Sequence, residues 1–68
     1  MRARIEKVWQ EGDTEQTRII SVAELKGIIG AYAYREARMR LHAGEYKHVA
    51  TVKKHGVRYD YYISVEGR

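Results

Sequence analysis

The sequence predicts an α+β fold in which two β-hairpins flank one central helix, in the order ββαββ. Three observations predict it. Apolar and polar residues alternate in segments at both ends of the chain, glycine-containing turns divide those segments, and a helix-start signal opens the middle. We expect one antiparallel sheet of up to four strands, with the helix packed on one face and the other face in water. The 68 residues contain no proline and no linker, so 1–68 is expected to be a single domain.

The first hairpin is predicted in the N-terminal 20 residues. Residues 3–10 resemble a strand that places Ile5 and Trp9 on the same face. Residues 11–14 carry a glycine and an aspartate, which are typical of a turn. The chain can then return as a second strand over 15–20.

The helix start is the clearest local signal. Ser21 and Glu24 are spaced as a capping box, in which the serine hydroxyl accepts a hydrogen bond from the first helical turn. Apolar residues then recur at helical spacing and form one stripe, namely Val22, Leu25, Ile28, Ile29, Tyr32 and Met39. The helix is expected to end near His42. Gly27 and Gly30 each cost about 1 kcal/mol inside a helix, so either packing requires them or the helix bends there.

The second hairpin is predicted from strict alternation around a two-residue loop, His55-Gly56. That loop places Lys54 opposite Val57, Val52 opposite Tyr59, Ala50 opposite Tyr61 and His48 opposite Ile63. The face towards the helix would then hold Tyr46, His48, Ala50, Val52, Tyr59, Tyr61 and Ile63. The water-facing side would hold Lys47, Val49, Thr51, Lys53, Arg58, Asp60, Tyr62 and Ser64. No local signal sets the strand order between the two hairpins.

The charge is unevenly distributed. The formal net charge is +4, and residues 1–30 contain five cationic and five acidic side chains. Residues 31–68 contain eight cationic against four acidic side chains, with all three histidines and all six tyrosines. This asymmetry favours an acidic partner for the second half. The alternative is that the charge serves solubility alone.

Several functional classes are disfavoured. The absence of cysteine excludes disulfides, thiolate zinc sites and a thiol nucleophile. The N-terminus lacks the apolar run of a signal peptide, and no segment approaches the roughly 20 apolar residues of a membrane span, so we expect a soluble, cytoplasmic protein. His42, His48 and His55 lie on separate elements, and no catalytic motif is present. We therefore expect no enzyme activity, no metal, no cofactor and no small-molecule substrate.

One candidate site is the water-facing side of the second hairpin. Cations there could meet phosphates while a tyrosine ring stacks on a base, as on single-strand-binding sheets. The alternative is a solvated face in which Asp60 neutralises the nearby cations. The side chains expected to bind are Lys47, Lys53, Lys54, Arg58 and Tyr62.

The helix supplies two further candidates. Arg35 and Arg38 could form a ridge that binds phosphate or carboxylate, although the negative end of the helix dipole alone accounts for them. A strip rich in small residues is predicted on the helix side away from the core, where a partner backbone could approach closely. It comprises Ala23, Gly27, Gly30, Tyr34, Ala37, Arg38 and Leu41. The alternative is that this strip packs beneath the first hairpin.

Two binding hypotheses follow. The first is a nucleic-acid-binding accessory protein that uses the basic sheet face. The second is a protein-protein interaction module that recruits or inhibits a larger nucleic-acid-binding or host-defence complex, as small proteins of phages and mobile elements do. A homodimer through the helix strip or an unpaired edge strand is compatible with both.

Overall fold

The computed structural model describes residues 2–42 and 44–66, apart from the side chain of Glu66. The elements are β1 (Arg2–Glu11), β2 (Thr14–Ile20), α1 (Val22–Ile29), α2 (Ala31–Met39), β3 (Tyr46–Lys54) and β4 (Val57–Glu66). The predicted α+β class and the four-stranded antiparallel sheet are confirmed. The predicted ββαββ order with a single helix is wrong, since the chain runs ββααββ.

The sheet order is β2-β1-β4-β3, so each hairpin contributes one central and one edge strand. Ile5 of β1 lies opposite both Ile20 of β2 and Ile63 of β4, which joins the two hairpins through their most apolar positions. The edge strands are the polar β2 and the lysine-bearing β3. Charged edges of this kind discourage further strand addition.

Both helices pack on one face of the sheet, called here the helix side. The core on that side consists of Ile5, Ile20, Leu25, Leu41, Tyr61, Ile63 and Val65. Helix-side residues nearer the two hairpin turns, Trp9, Val57 and Tyr59, are only half-buried. The helices therefore cover one half of the sheet and leave the half next to the turns more accessible.

The opposite face is called the open face. Strand pairing places on it the side chains of Arg2, Arg4, Glu6, Val8, Gln10, Glu15, Thr17, Ile19, Tyr46, His48, Thr51, Lys53, Arg58, Asp60, Tyr62 and Ser64. Directly paired residues of neighbouring strands point to the same face. Its side chains are mostly exposed or half-buried, whereas the helix side provides the core.

The helical segment begins as predicted and then breaks at Gly30. The Ser21 hydroxyl accepts a hydrogen bond of 3.1 Å from the backbone N–H of Glu24, which confirms the serine cap. Gly30 has φ 91° and ψ 155°, a conformation essentially restricted to glycine. A Cβ on Gly27 would meet nothing within 4 Å, so packing does not require that glycine. Of the two explanations for the glycines, the bend is the one observed.

The break changes which residues of α2 are buried. Tyr32 and Met39, expected in the apolar stripe, are 76% and 69% exposed. Ala37 and Leu41, expected on the outer strip, are each 8% exposed and contribute to the interior. The prediction of one continuous stripe is wrong because Gly30 resets the helical phase, so spacing counted from α1 does not apply to α2.

The second hairpin has the predicted loop. His55 and Gly56 have φ values of 54° and 78°, the left-handed pair that suits a two-residue hairpin turn. Three of the four predicted cross-strand pairs, those of Lys54, Val52 and Ala50, are confirmed. The fourth pair is wrong because a β-bulge lies between His48 and Ala50.

Relative to simple alternation, the bulge reverses the face on which each side chain in the first part of β3 lies. His48 pairs with Tyr62 and Lys47 pairs with Ile63. One extra residue in a strand exchanges the faces of every residue beyond it. Tyr46 and His48 therefore lie on the open face, and Lys47 lies on the helix side.

Candidate functional site

The bulge assembles three aromatic rings on the open face. The rings of Tyr46 and Tyr62 are stacked, with centroids 5.0 Å apart and planes inclined by 7°. The His48 imidazole meets Tyr62 edge-on, with centroids 5.2 Å apart and an interplanar angle of 67°. Tyr46 is 56% exposed. Aromatic rings presented on a sheet in this way can accept a further planar ring by stacking.

A carboxylate on β1, two strands away in the sheet, holds Tyr46 in place. The Tyr46 hydroxyl donates a hydrogen bond of 2.7 Å to Oε1 of Glu6. This bond, with partial burial and the negative charge of Glu6, raises the pKa of Tyr46 to about 12. The other Glu6 oxygen, Oε2, lies 3.3 Å from Nε of Arg4. The stacked pair is thus tied to β1, although Tyr46 itself lies on the far edge of the sheet.

A second carboxylate, Asp60, organises the polar part of the face. The Thr51 hydroxyl donates to Asp60 Oδ1 at 2.6 Å, and Nε2 of His48 lies 2.9 Å from Thr51 Oγ1 and 3.1 Å from Asp60 Oδ1. Nε of Arg58 is 3.3 Å from Oδ2. These contacts, the Thr51 hydrogen bond foremost, hold the pKa of Asp60 below its ordinary value against the opposing effect of burial. His48 is thereby oriented towards Tyr62.

A cavity of about 400 Å³ lies beside the Tyr62 ring, where the pairing of β1 with β4 ends. Its lining includes Tyr62 and Arg58, with Val8 and Gln10 of β1 and Glu15 of β2. This volume is within the range of about 300–1,000 Å³ that small ligands occupy. The cavity therefore offers room for one planar group next to the Tyr62 ring.

The cations of the open face are largely neutralised. Arg4 pairs with Glu6 and Arg58 pairs with Asp60, in agreement with the alternative that Asp60 offsets the nearby positive charge. Lys53 forms no ion pair with any residue in the described part of the chain. Binding of an anion to the open face would therefore depend on Lys53, on Arg2 at the end of β1, and on release of Arg58 from Asp60.

The predicted nucleic-acid-binding residues are divided between the two faces. Lys53, Arg58 and Tyr62 lie together on the open face. Lys54 pairs with Val57 and lies on the helix side, and the bulge puts Lys47 there as well, so the prediction for Lys47 is wrong. Arg35 and Arg38 both belong to α2, which packs on the helix side.

The predicted small-residue strip does not form one surface. Ala23, Gly27 and Gly30 are exposed, but Leu41 is part of the core. Tyr34 packs against the core, with Nζ of Lys26 5.3 Å from its ring centroid. The prediction is wrong because it assumed a continuous helix, and the break at Gly30 turns the second half of the strip inwards.

Sequence reasoning missed two members of the aromatic cluster. Strict alternation assigned Tyr46 and His48 to the helix side, because the bulge at Val49 involves neither glycine nor proline. A weak signal was present: the same alternation would have buried His48 and exposed Val49, against their polarity. The bulge removes that conflict, because it leaves His48 exposed and Val49 half-buried.

No known protein-family model, curated protein or solved structure matches this chain. Its function is therefore inferred from its own side chains. The described helices, of eight and nine residues, are too short to cross a membrane. Among the residues that the structure describes, no three histidine or acidic side chains are grouped so that they could hold a metal ion.

Proposed function

We propose that this protein binds single-stranded nucleic acid through the open face. Bases stack on the rings of Tyr46, Tyr62 and His48, and backbone phosphates contact Lys53 and Arg58. The observation that carries the proposal is the three-ring cluster on the uncovered face of an antiparallel sheet. Single-stranded nucleic acids are commonly bound on such faces, where splayed bases stack on aromatic side chains.

The geometry favours a single strand over a duplex. Stacking on Tyr46 or Tyr62 requires a base whose face is free, and the bases of a duplex are already stacked on each other. The cavity of about 400 Å³ beside Tyr62 can receive one such base. Arg58 and Asp60, which form an ion pair, line the same cavity.

Stacking is expected to contribute more than charge. Base stacking on an aromatic residue contributes about 1–3 kcal/mol, whereas an exposed ion pair contributes about 0–1 kcal/mol. With about two or three phosphate contacts on a single strand, the slope of log K against log salt should be roughly −1.4 to −2.1. A steeper slope would mean that cations outside the open face take part.

Fluorescence anisotropy of labelled single-stranded RNA, single-stranded DNA and duplex DNA, at two salt concentrations, tests the proposal. The Tyr46→Leu/Tyr62→Leu double variant should lose at least about tenfold in single-strand affinity. Tyr32→Leu is the matched control, since it makes the same change at an exposed tyrosine of α2 on the other side of the sheet. The control should bind within about twofold of wild type.

Two results would contradict the proposal. One is undiminished binding in the double tyrosine variant while circular dichroism shows a folded protein. The other is equal affinity for duplex and single-stranded DNA. Replacing Lys53 and Arg58 by glutamate should weaken binding and flatten the salt slope, because it removes the cations that face the phosphates.

A second candidate function, protein binding, is favoured by a separate observation on α2. Tyr32 and Met39 are spaced by seven residues and are highly exposed, so they lie on one face of the helix. A groove of about 500 Å³ between α2 and β3 adjoins Tyr32. Tyrosine and methionine are enriched in protein interfaces. If this surface binds a protein, Tyr32→Ser/Met39→Ser should release a partner that the wild-type chain retains after nuclease treatment.

A further inference from the structure

A concave surface on the helix side, opposite the open face, is lined by aromatic and cationic residues. It lies where α1 stops covering the sheet, and it encloses about 500 Å³. We call it the distal shelf, and it is lined principally by Lys7, Glu24, Ile28, Lys54, Tyr59 and Tyr61. The shelf exists because the strands extend beyond the short helices, which leaves helix-side residues near the hairpin turns only half-buried.

Tyr59 lines the distal shelf and packs against Trp9. The rings of Trp9 and Tyr59 lie with centroids 5.5 Å apart and planes inclined by 54°. Nζ of Lys7 is 4.6 Å from the Tyr59 centroid and 5.6 Å from the Trp9 centroid. Such a contact between a flexible ammonium and a partly exposed ring is weak, so an incoming planar group can displace Lys7 and take the ring face.

The distal shelf also presents two lysine ammonium groups. Neither Lys7 nor Lys54 makes an ion pair with another residue in the described part of the chain. Both side chains line the same cavity. Glu24 stands on the α1 side of the cavity, where its carboxylate can accept a hydrogen bond from an amino group.

We infer that the distal shelf binds one nucleotide unit. The base stacks on the Tyr59 ring, the phosphate lies between Lys7 and Lys54, and the Glu24 carboxylate accepts a hydrogen bond from an exocyclic amino group. The unit can be a free nucleoside monophosphate or the phosphorylated end of a strand. This inference does not rest on binding at the open face, because the two sites are on opposite faces of the sheet.

The chemistry of the distal shelf fits a nucleotide better than an acidic peptide. A peptide carboxylate could use the two lysines but would leave the Tyr59 ring unused. A second carboxylate nearby would be repelled by Glu24, whereas the amino groups of adenine, cytosine or guanine would be attracted. We therefore expect AMP to bind more tightly than UMP, whose base has no amino group.

Trp9 provides the measurement, since it is the only tryptophan in the chain. The full chain is titrated with AMP, UMP, adenosine and inorganic phosphate while tryptophan fluorescence is recorded. AMP should quench the tryptophan fluorescence saturably. Adenosine and phosphate should each bind at least about fivefold more weakly than AMP, because each uses only part of the shelf.

Adjacent lysines on opposite faces supply a matched pair of variants. Lys54→Gln should weaken AMP binding about fivefold and leave oligonucleotide binding at the open face within about twofold. Lys53→Gln makes the same charge change one residue away, on the open face. It should leave AMP affinity within about twofold while weakening oligonucleotide binding.

A further control separates this inference from the proposed function. Trp9 reports on the distal shelf through its contact with Tyr59, but it borders the cavity beside Tyr62, so its fluorescence could respond to a ligand on the open face. The Tyr46→Leu/Tyr62→Leu variant should retain full AMP quenching if the distal shelf is the site. Quenching that this variant loses would assign AMP to the open face and overturn the inference.

The remaining outcomes are also decisive. Failure of both AMP and a 5′-phosphorylated oligonucleotide to quench saturably would overturn the inference, as would AMP affinity unchanged in Lys54→Gln. A glutamate-rich peptide that quenches as strongly as AMP would overturn it in favour of an acidic polypeptide. Quenching by the 5′-phosphorylated oligonucleotide but not by AMP would support the inference if Lys54→Gln weakens it. The bound nucleotide would then be the end of a strand.

Discussion

Two carboxylates on the open face, Glu6 and Asp60, determine the positions of the side chains around them. Glu6 accepts the Tyr46 hydroxyl, and Asp60 accepts Thr51 while contacting His48 and Arg58. Side chains held before a ligand arrives lose less conformational entropy on binding. At the scale of single residues, the open face is therefore preorganised by hydrogen bonds rather than by packing.

Asp60 should make stability dependent on pH in the acidic range. Its pKa is lower in the folded chain than its ordinary value of about 4. The folded state therefore binds its proton less readily than the unfolded state, and the stabilisation present above pH 4 is lost as the pH falls through the folded-state pKa. Asp60→Asn should lower the free energy of unfolding by about 1 kcal/mol at pH 7. Urea unfolding at pH 7 and at pH 3 checks this.

The comparison of the two proteins across pH gives the control. The difference between wild type and Asp60→Asn should shrink towards pH 3, because protonation removes the same charge in the wild type. A difference that stays constant from pH 7 to pH 3 would show that shape rather than charge at position 60 matters.

Tyr46 should produce the opposite dependence at alkaline pH. Its pKa is raised to about 12 in the folded chain, so its contribution is fully present below about pH 10 and is lost as the pH rises through 12. Absorbance at 295 nm should show a titration step near pH 12 that Tyr46→Phe lacks. In Glu6→Gln the same step should move towards pH 10, since the acceptor has lost its negative charge. A step unmoved in Glu6→Gln would show that burial alone raises the pKa.

At the scale of elements, Gly30 is the end of α1 and the start of α2. Its N–H donates to the carbonyl of Lys26 at 2.8 Å, and its carbonyl accepts from the N–H of Tyr34 at 3.1 Å. A single residue thus satisfies backbone groups of both helices while directing α2 along a new axis. The burial of Ala37 and Leu41 depends on this change of direction.

Alanine substitutions at the two helical glycines should have effects of opposite sign. Gly30→Ala forces a side chain into φ 91°, ψ 155° and should destabilise the fold by about 1–3 kcal/mol. Gly27→Ala adds a Cβ in open space inside α1 and should stabilise it by about 0.5–1 kcal/mol. Chemical unfolding of both variants checks the pair. Equal effects of the same sign would contradict a specific role for the bend.

The β-bulge leaves Val49 without a partner on β4, while His48 pairs with Tyr62 and Ala50 with Tyr61. Deleting Val49 removes only this unpaired residue, so His48 should still pair with Tyr62 and stay on the open face. We therefore expect the deletion variant to bind oligonucleotides within about twofold of wild type, measured by fluorescence anisotropy. A loss of about tenfold in a folded deletion variant would show that strand pairing alone does not position the rings.

At the scale of the whole molecule, the sheet is longer than the layer that covers it. The chain extends over 36 × 22 × 16 Å, and the helices protect only the half that contains Ile5, Ile63 and Val65. A chain of this size buries only about 60% of its unfolded surface. The fold therefore leaves two exposed surfaces, the open face and the distal shelf, on opposite sides of the same strands.

Hydrogen exchange should reveal this uneven coverage. Amides of the central strands β1 and β4 near Ile5 and Ile63 should exchange slowest, because both neighbouring strands and the helices protect them. Amides of β3 and β4 near Lys53 and Arg58, next to the hairpin turn, should exchange faster. Amide exchange followed by NMR checks the gradient. Uniform protection along β4 would show that the sheet opens only with the whole molecule.

The sequence by itself determined the features that depend on neighbouring residues. The α+β class, the Ser21 cap, the His55-Gly56 loop and the pairing of Lys54, Val52 and Ala50 all follow from local propensity, turn chemistry and alternation. For the candidate site, the same reasoning placed Lys53, Arg58 and Tyr62 on one face. Each of these predictions concerns residues close in sequence, where few backbone conformations compete.

Only the tertiary structure decided the strand order, the faces of Tyr46, His48 and Lys47, and the exposure of α2. The order β2-β1-β4-β3 depends on matching Ile5 with Ile63, 58 positions later in the chain. The bulge at Val49 and the break at Gly30 each change the phase of the pattern, and every residue beyond them moves with it. The physical reason is that burial is summed over contacts distant in sequence, and these outweigh the local periodicity.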